Sequence, residues 1–208
     1  MGGSCPVVAT GNAPESGEPI LATLFASKAR ATVLRVFAID PRRPYYQRQI
    51  ETATGLAIRA VQRELERLST LGLLYRHVEG NRTYYRVDPQ FPLFAELQAM
   101  VLKTAEPVDR LRATIAMAEG VRLAFLSETG DRVLVVTSGP VSSALAVSDP
   151  FQVETVTTEE FLVALSERRE TLDPFLRRGA DLLGRRDDVL WRRIEVAGYQ
   201  VKKGKGVV

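Results

Sequence analysis

Residues 47–87 carry two short helical patterns, separated by one glycine and followed directly by a hairpin pattern. Apolar residues recur at helical spacing in two segments, Gln47–Thr54 and 57–70, and Gly55 ends the first helix before the second begins. The longer helix is expected to end at Leu71-Gly72, because glycine suits the left-handed conformation that often follows a helix. Two helices joined across a glycine turn form a helix-turn-helix. This order limits the fold of the segment more than any other feature of the chain.

A two-stranded hairpin is predicted immediately after the second helix. Residues 73–79 and 83–87 are rich in leucine, aromatic and β-branched side chains, which favour strands. Gly80-Asn81 suits a turn that needs positive φ, so Arg82 is expected near the tip. A hairpin in this place is the wing of a winged helix-turn-helix.

The whole chain is expected to be an α+β protein with more than one domain, because its 208 residues exceed the usual size of a single domain. We expect a disordered leader at 1–19, the winged helix-turn-helix with flanking helices at 20–104, a small α/β domain at 105–200 and a basic tail at 201–208. The linker between the domains is expected near 104–107.

Apolar patterns in the C-terminal half alternate between strands and helices. Strands are expected at Val121–Leu126, Arg132–Thr137 and 152–156. A helix should begin at Thr158, where acidic residues in the first turn favour that end of the helix dipole, and another at Asp173.

The positive charge is concentrated in the N-terminal half. The net charge of the chain is +3. Residues 20–104 hold 13 Lys and Arg against 7 Asp and Glu, whereas residues 105–208 hold 15 against 16. A basic segment joined to a near-neutral one indicates that the first binds a polyanion and the second has a different role.

Composition excludes several other classes of protein. The single cysteine, Cys5, excludes an internal disulfide, and together with the single histidine, His77, it argues against zinc enzymes and histidine-dependent hydrolases. No apolar run reaches the length of a membrane helix, and the first residues lack the pattern of a secretory signal. A cytoplasmic location is therefore expected.

The outward face of the second helix offers side chains that can read bases. Its buried stripe is expected to be Val61, Leu65 and Leu68. The side chains left on the opposite face are Ile58, Arg59, Gln62, Arg63 and Glu66. Arg59 can pair with guanine, Gln62 with adenine, and Ile58 can contact a thymine methyl group.

An ordinary solvated face is the alternative for this helix, with Glu64 and Glu66 pairing with neighbouring arginines. The surrounding sequence favours DNA, because other basic and polar residues lie where a winged helix meets phosphates. The expected phosphate contacts are Arg42, Arg43, Gln47, Arg48, Arg63, Asn81 and Arg82.

Three runs within the basic segment resemble the winged-helix transcription regulators of the ArsR/MarR type. They span 24–30, 54–73 and 79–85. The resemblance implies a homodimeric repressor or activator that binds duplex DNA, and a two-fold dimer matches an inverted repeat. The dimerisation helices would lie at 20–27 and 92–103. Metal sensing, which is common in ArsR proteins, is not expected, because the cysteine and histidine clusters it requires are missing.

The C-terminal half resembles the minimal nucleotidyltransferase-like domain that a group of prokaryotic regulators joins to a winged helix. The supporting segments are 92–104, 120–125, 133–136, 153–161 and 173–178. An active enzyme of this kind needs a Gly-Ser turn for the triphosphate and an Asp-x-Asp pair for magnesium. Here the aspartate positions fall on Gly130 and Arg132, and no Gly-Ser pair follows the first strand.

The resemblance therefore implies a catalytically inactive domain with no catalytic residue, cofactor or metal. Glu128 and Asp131 are the only replacement carboxylates near this turn, and ordinary turn preferences predict that both face solvent. The domain would serve dimerisation, partner contact or the sensing of a small-molecule or protein effector. Two alternatives stay open: a nucleotidyltransferase-type enzyme, and an antitoxin-like adaptor that autoregulates its operon.

Overall fold

The computed structural model describes residues 18–139, 150–186 and 188–207. Over these ranges the chain is a mixed α+β protein with nine helices and two β-sheets. The N-terminal part comprises α1 (Glu18–Leu24), α2 (Lys28–Ile39), β1 (Tyr45–Tyr46), α3 (Gln47–Thr54), α4 (Ile58–Thr70), β2 (Leu74–Glu79), β3 (Arg82–Val87) and α5 (Phe94–Lys103). The C-terminal part comprises α6 (Pro107–Met117), β4 (Val121–Leu126), β5 (Arg132–Thr137), β6 (Gln152–Thr157), α7 (Thr158–Glu167), α8 (Arg169–Leu176), β7 (Ala180–Asp181), α9 (Val189–Val196) and β8 (Lys202–Lys203).

Helix α2 lies at the centre of the N-terminal part. Ser27 precedes it, and the Ser27 hydroxyl accepts a hydrogen bond from the backbone N–H of Arg30 and so caps the first turn. Its apolar residues pack against α1, α3, α4 and α5. The predicted stripe of α4, Val61, Leu65 and Leu68, is buried in this core, as the helical spacing requires.

The first sheet has the strand order β1-β3-β2 and is antiparallel throughout. Glu79 pairs with Arg82 across the predicted Gly80-Asn81 turn, and Gly80 has a φ of +60°. The structure thus confirms the hairpin. Leu74 and Val87 face the core at its base, so the tip carrying Asn81 and Arg82 is exposed.

The second sheet has the order β6-β5-β4-β7-β8, and helices cover both of its faces. Successive side chains of β4 and β5 point to opposite faces of the sheet, so each face packs into its own core. Leu123, Phe125, Leu134 and Val136 pack with α7, α8 and α9, whereas Ala124, Val133 and Val135 pack with α6. Trp191 is buried in the first of these cores, beside Phe125.

A buried carboxylate joins the two parts of the molecule. Asp109 on α6 accepts hydrogen bonds from Arg35 on α2 and from Arg112, whose Nη1 lies 2.9 Å from Oδ1. Arg112 also donates to the backbone oxygens of Leu182, Lys205 and Gly206 at 3.0–3.3 Å. Because the guanidinium of Arg112 is buried, these acceptors replace its lost hydration.

The same contacts correct the expected basic tail. Residues 201–207 are part of the fold, since Lys202–Lys203 pairs with β7 and both Val201 and Val207 are buried. Helix α8 also begins earlier than expected, at Arg169, and contains Pro174. Most of the predicted leader lies outside the described residues, but 18–19 already belong to α1.

Within the described ranges, no helix combines the length and apolar character that crossing a bilayer requires.

Replacing Asp109 with Ala should lower the free energy of unfolding by about 3 kcal/mol or more, because a buried arginine would lose its counter-charge. The matched control is Glu154→Ala, which removes the carboxylate from an exposed pair with Arg132 and should cost less than about 1 kcal/mol. Denaturant unfolding of the full chain measures both. Equal losses in the two variants would show that Asp109 does not hold the parts together.

Candidate nucleic-acid interface

The orientation of α4 is fixed by a buried ion-pair cluster. Glu64 is 4% exposed. Its Oε2 accepts from Nε of Arg30 on α2 at 3.0 Å, and its Oε1 accepts from Nη1 of Arg67 at 3.0 Å. The pair with Arg67 is the ordinary helix pairing expected if α4 had only a solvated outer face. The contact with α2, however, makes Glu64 part of the core. The sequence contains a hint of this, because Glu64 is three residues after Val61 on the apolar side of the helix.

The opposite face of α4 is exposed along its length. Ile58, Arg59, Gln62 and Arg63 all lie in solvent, as predicted. Among the described residues, no carboxylate lies within ion-pair distance of Arg59 or Arg63. This face therefore presents two guanidinium groups without an ion-pair partner, one amide and one aliphatic side chain on a rigid helix, together with the exposed carboxylate of Glu66. These are the groups that hydrogen-bond and contact base edges in a major groove.

Gly55 sets the angle at which α4 leaves α3. Its φ is +66°, in the left-handed region, and its N–H donates to the backbone oxygen of Glu51 at 2.9 Å. The Thr54 hydroxyl donates to the Ile50 oxygen at 2.6 Å and closes the last turn of α3. Glycine adopts this conformation without the steric cost that a Cβ brings, so α3 can end here as the sequence predicts.

An aromatic row supports the hairpin on its outer face. Tyr46, Tyr84 and His77 lie side by side across β1, β3 and β2. The rings of His77 and Tyr84 stack with centroids 5.4 Å apart, and Tyr46 meets Tyr84 edge-on at 5.8 Å. The guanidinium of Arg82 lies 4.9 Å from the centre of the Tyr46 ring. This cation–π contact restricts Arg82 and ties the tip of the hairpin to the start of α3.

Three further predicted contacts lie close to these elements. Gln47 and Arg48 form the first turn of α3, directly after Tyr46, and Asn81 lies in the hairpin turn. Arg48 and Asn81 are exposed, and Gln47 is half-buried. The structure therefore brings Gln47, Arg48 and Arg82 to one end of the hairpin.

Arg42 and Arg43 are placed differently from the other predicted residues. Arg43 donates to the backbone oxygens of Leu183 and Gly184 at 2.7 and 3.1 Å, and Arg42 donates to that of Met117 at 3.2 Å. Both guanidinium groups thus contact the C-terminal part, because the segment between α2 and β1 runs along it. These contacts do not test whether either arginine meets a DNA phosphate, so that expectation stays a prediction, and the interface proposed below is built from the other residues.

The turn between β4 and β5 does not form a site for a magnesium triphosphate. Glu128 and Asp131 are exposed, as predicted. Asp131 accepts hydrogen bonds from the hydroxyls of Ser127 and Thr129, and the bond from Thr129 is the main cause that holds the pKa of its carboxyl below the ordinary value. Glu128 lies 3.4 Å from Arg178.

Arg132 lies at one of the two positions where the resemblance expects an aspartate. It pairs with Glu154 at 2.6 Å and lies over the ring of Phe175. Throughout the part of the chain that the structure describes, no group of three or more His, Cys, Asp and Glu side chains could hold a metal ion. Two magnesium ions require clustered carboxylates, so this arrangement does not fit them.

Comparison with known proteins assigns no family to the chain. No family model matches it, and neither the curated proteins nor the solved structures contain a match. Its function must be inferred from its own residues.

Incubation with labelled nucleoside triphosphates and magnesium should leave no labelled product, because an arginine cannot ligate magnesium at the position where the resemblance expects an aspartate. Mass spectrometry or gel autoradiography of the full chain measures this. The variants Glu128→Ala and Asp131→Ala serve as controls. Magnesium-dependent transfer that disappears in either variant would identify these two carboxylates as an active site.

Proposed function

We propose that this chain is a sequence-specific transcription regulator that binds duplex DNA through a winged helix-turn-helix. Helices α3 and α4 with Gly55 form the helix-turn-helix, and β2 with β3 forms the wing. The arrangement is supported by the order of these elements, by the positive φ of Gly55 and by the hairpin that follows α4 directly.

One observation carries the proposal most directly, namely the division of α4 into two faces. Glu64, the carboxylate nearest the centre of the helix, is turned into the core and neutralised by Arg30 and Arg67. Arg59 and Gln62 are left on the exposed face. This separation removes one of the two carboxylates of α4 from the exposed face, where Glu66 remains, and leaves on that face the guanidinium and amide groups that can bind base edges.

The phosphate contacts would come from residues around this helix. Arg63 extends from α4 itself, Arg48 and Gln47 from the first turn of α3, and Arg82 and Asn81 from the wing. Arg82 is already restrained by the Tyr46 ring, so less conformational entropy would be lost when it binds a phosphate. Such contacts position the protein, whereas Ile58, Arg59 and Gln62 would supply the specificity.

The active form is proposed to be a homodimeric repressor at an inverted repeat. A single winged helix-turn-helix covers a small DNA surface, and a dimer with two-fold symmetry matches a DNA site with two-fold symmetry. The dimerisation helices would be α1 and α5. Ile20 and Leu24 on α1, and Leu93 just before α5, are exposed apolar side chains that a second copy would cover.

The C-terminal part is proposed to be a degenerate nucleotidyltransferase-like domain without catalytic activity. The pairing of Arg132 with Glu154 supports this, because it holds a side chain that cannot ligate a metal at the position where the resemblance expects an aspartate. The domain would then serve dimerisation, effector sensing or partner binding.

Binding of the full chain to duplex DNA should depend steeply on salt. Suppose that Arg48, Arg63 and Arg82 of each subunit of the dimer each neutralise one DNA phosphate. The logarithm of affinity should then fall with a slope of roughly −5 against the logarithm of salt concentration. Affinity should then drop about 1,000-fold between about 50 mM and about 200 mM salt. Fluorescence anisotropy with a labelled duplex measures the slope, and a slope near zero would refute the proposed phosphate contacts.

Replacing Arg59 or Gln62 with Ala should weaken binding to a selected site by about 1 to 3 kcal/mol and weaken binding to random DNA much less. Arg192→Ala is the control, because it removes an exposed arginine from α9, outside the proposed interface. Competition assays with selected and random duplexes separate the effects. If Arg59→Ala weakens both duplexes equally, Arg59 contacts phosphate rather than a base edge.

A further inference from the structure

A cleft rich in arginine lies where the two parts of the molecule meet. It is lined by Asp40, Arg42, Arg43, Arg185 and Asp188, and it has a volume of about 360 Å³. This volume falls in the range of small-molecule sites, which begins at roughly 300 Å³. The DNA-binding surface proposed above uses none of these five residues.

The three guanidinium groups of the cleft are held in place by neutral acceptors. Arg43 donates to the Leu183 and Gly184 oxygens, and Arg42 to the Met117 oxygen. Arg185 donates to the backbone oxygens of Val121 and Ala116, the former at 2.5 Å. A carbonyl oxygen orients a guanidinium without cancelling its charge, and each guanidinium has more N–H donors than these contacts use.

The carboxylates of the cleft do not balance these charges. Asp188 is bound by both Nε and Nη2 of Arg122, at 3.0 and 2.6 Å, so its charge is already neutralised. Asp40 is buried and lies 4.0 Å from Arg185. Burial raises the pKa of Asp40, while Arg185 and Arg43 act in the opposite direction. Among the described residues that line the cleft, three guanidinium groups therefore face two carboxylates, of which Asp188 is held by Arg122 and Asp40 lies beside Arg185.

We propose that this cleft binds a small phosphate monoester. Planar guanidinium forks match the oxygens of a phosphate group in both spacing and charge, and several can bind one phosphate together. The backbone contacts fix the arginines before the ligand arrives, which lowers the entropic cost of binding. The inference does not depend on DNA binding, because it uses a separate set of residues.

Arg42→Gln is the best variant for a test, since Arg42 is exposed and has one protein contact in the described ranges, the 3.2 Å bond to Met117. Arg110→Gln is its matched control. Arg110 is also exposed and donates to one backbone oxygen, that of Ala105 at 2.7 Å, but it lies outside the cleft. The two variants change net charge equally.

Isothermal titration calorimetry of the full chain at constant ionic strength should show binding of ribose 5-phosphate and inorganic phosphate. Arg42→Gln should weaken both by about tenfold or more, as expected for a lost charged hydrogen bond, and Arg110→Gln should leave them unchanged. Absence of binding by the unsubstituted chain would overturn the proposal, as would equal weakening in the two variants.

Two further measurements test whether the cleft instead binds a carboxylate or DNA. Succinate should bind much more weakly than either phosphate probe, and succinate binding of equal strength would overturn the assignment to phosphate. Arg42→Gln should leave the affinity for a labelled DNA duplex unchanged. A matching loss of duplex affinity would place Arg42 on the DNA-binding surface and overturn the proposal of a small-molecule site.

Discussion

Two arginines of α2 anchor the structure through buried carboxylates. Arg30 binds Glu64 of α4, and Arg35 binds Asp109 of α6. Both carboxylates are buried, so each needs its partner to offset the loss of hydration. Because α2 also packs against α1, α3 and α5, these ion pairs determine how α4 and the C-terminal part are held. The exposed face of α4 follows from this anchoring.

The basic residues of the N-terminal half consequently fall into two groups. One group is used inside the protein, where Arg30 and Arg35 neutralise carboxylates and Arg43 binds backbone oxygens. The other group, which includes Arg59 and Arg63, faces solvent without a carboxylate partner among the described residues. Charge counted along the sequence cannot separate these groups, although the charges of Arg30 and Arg35 are already matched by carboxylates. The proposed DNA surface is therefore smaller than the sequence predicts.

Local periodicity predicted the elements that carry the proposed function. The stripe of Val61, Leu65 and Leu68 and the Gly80-Asn81 turn depend on neighbouring residues, so both could be read from the sequence.

Long-range contacts explain the features that the sequence does not predict. Arg43 meets Leu183 and Gly184 about 140 residues away, and no local pattern indicates this. The strand at Lys202–Lys203 also depends on a distant partner, so the sequence predicts only a tail there. That partner, β7, is two residues long and has no recognisable pattern.

Selection of bound sites from a random duplex library tests the central claim most directly. The full chain and the double variant Arg59→Ala/Gln62→Ala would be compared in parallel. The account predicts that the unsubstituted chain enriches an inverted repeat with half-site centres about 10 base pairs apart, or a multiple of that distance, and that the variant loses preference at one or two positions in each half-site. Enrichment of no motif by the unsubstituted chain, or of an identical motif by the variant, would contradict it.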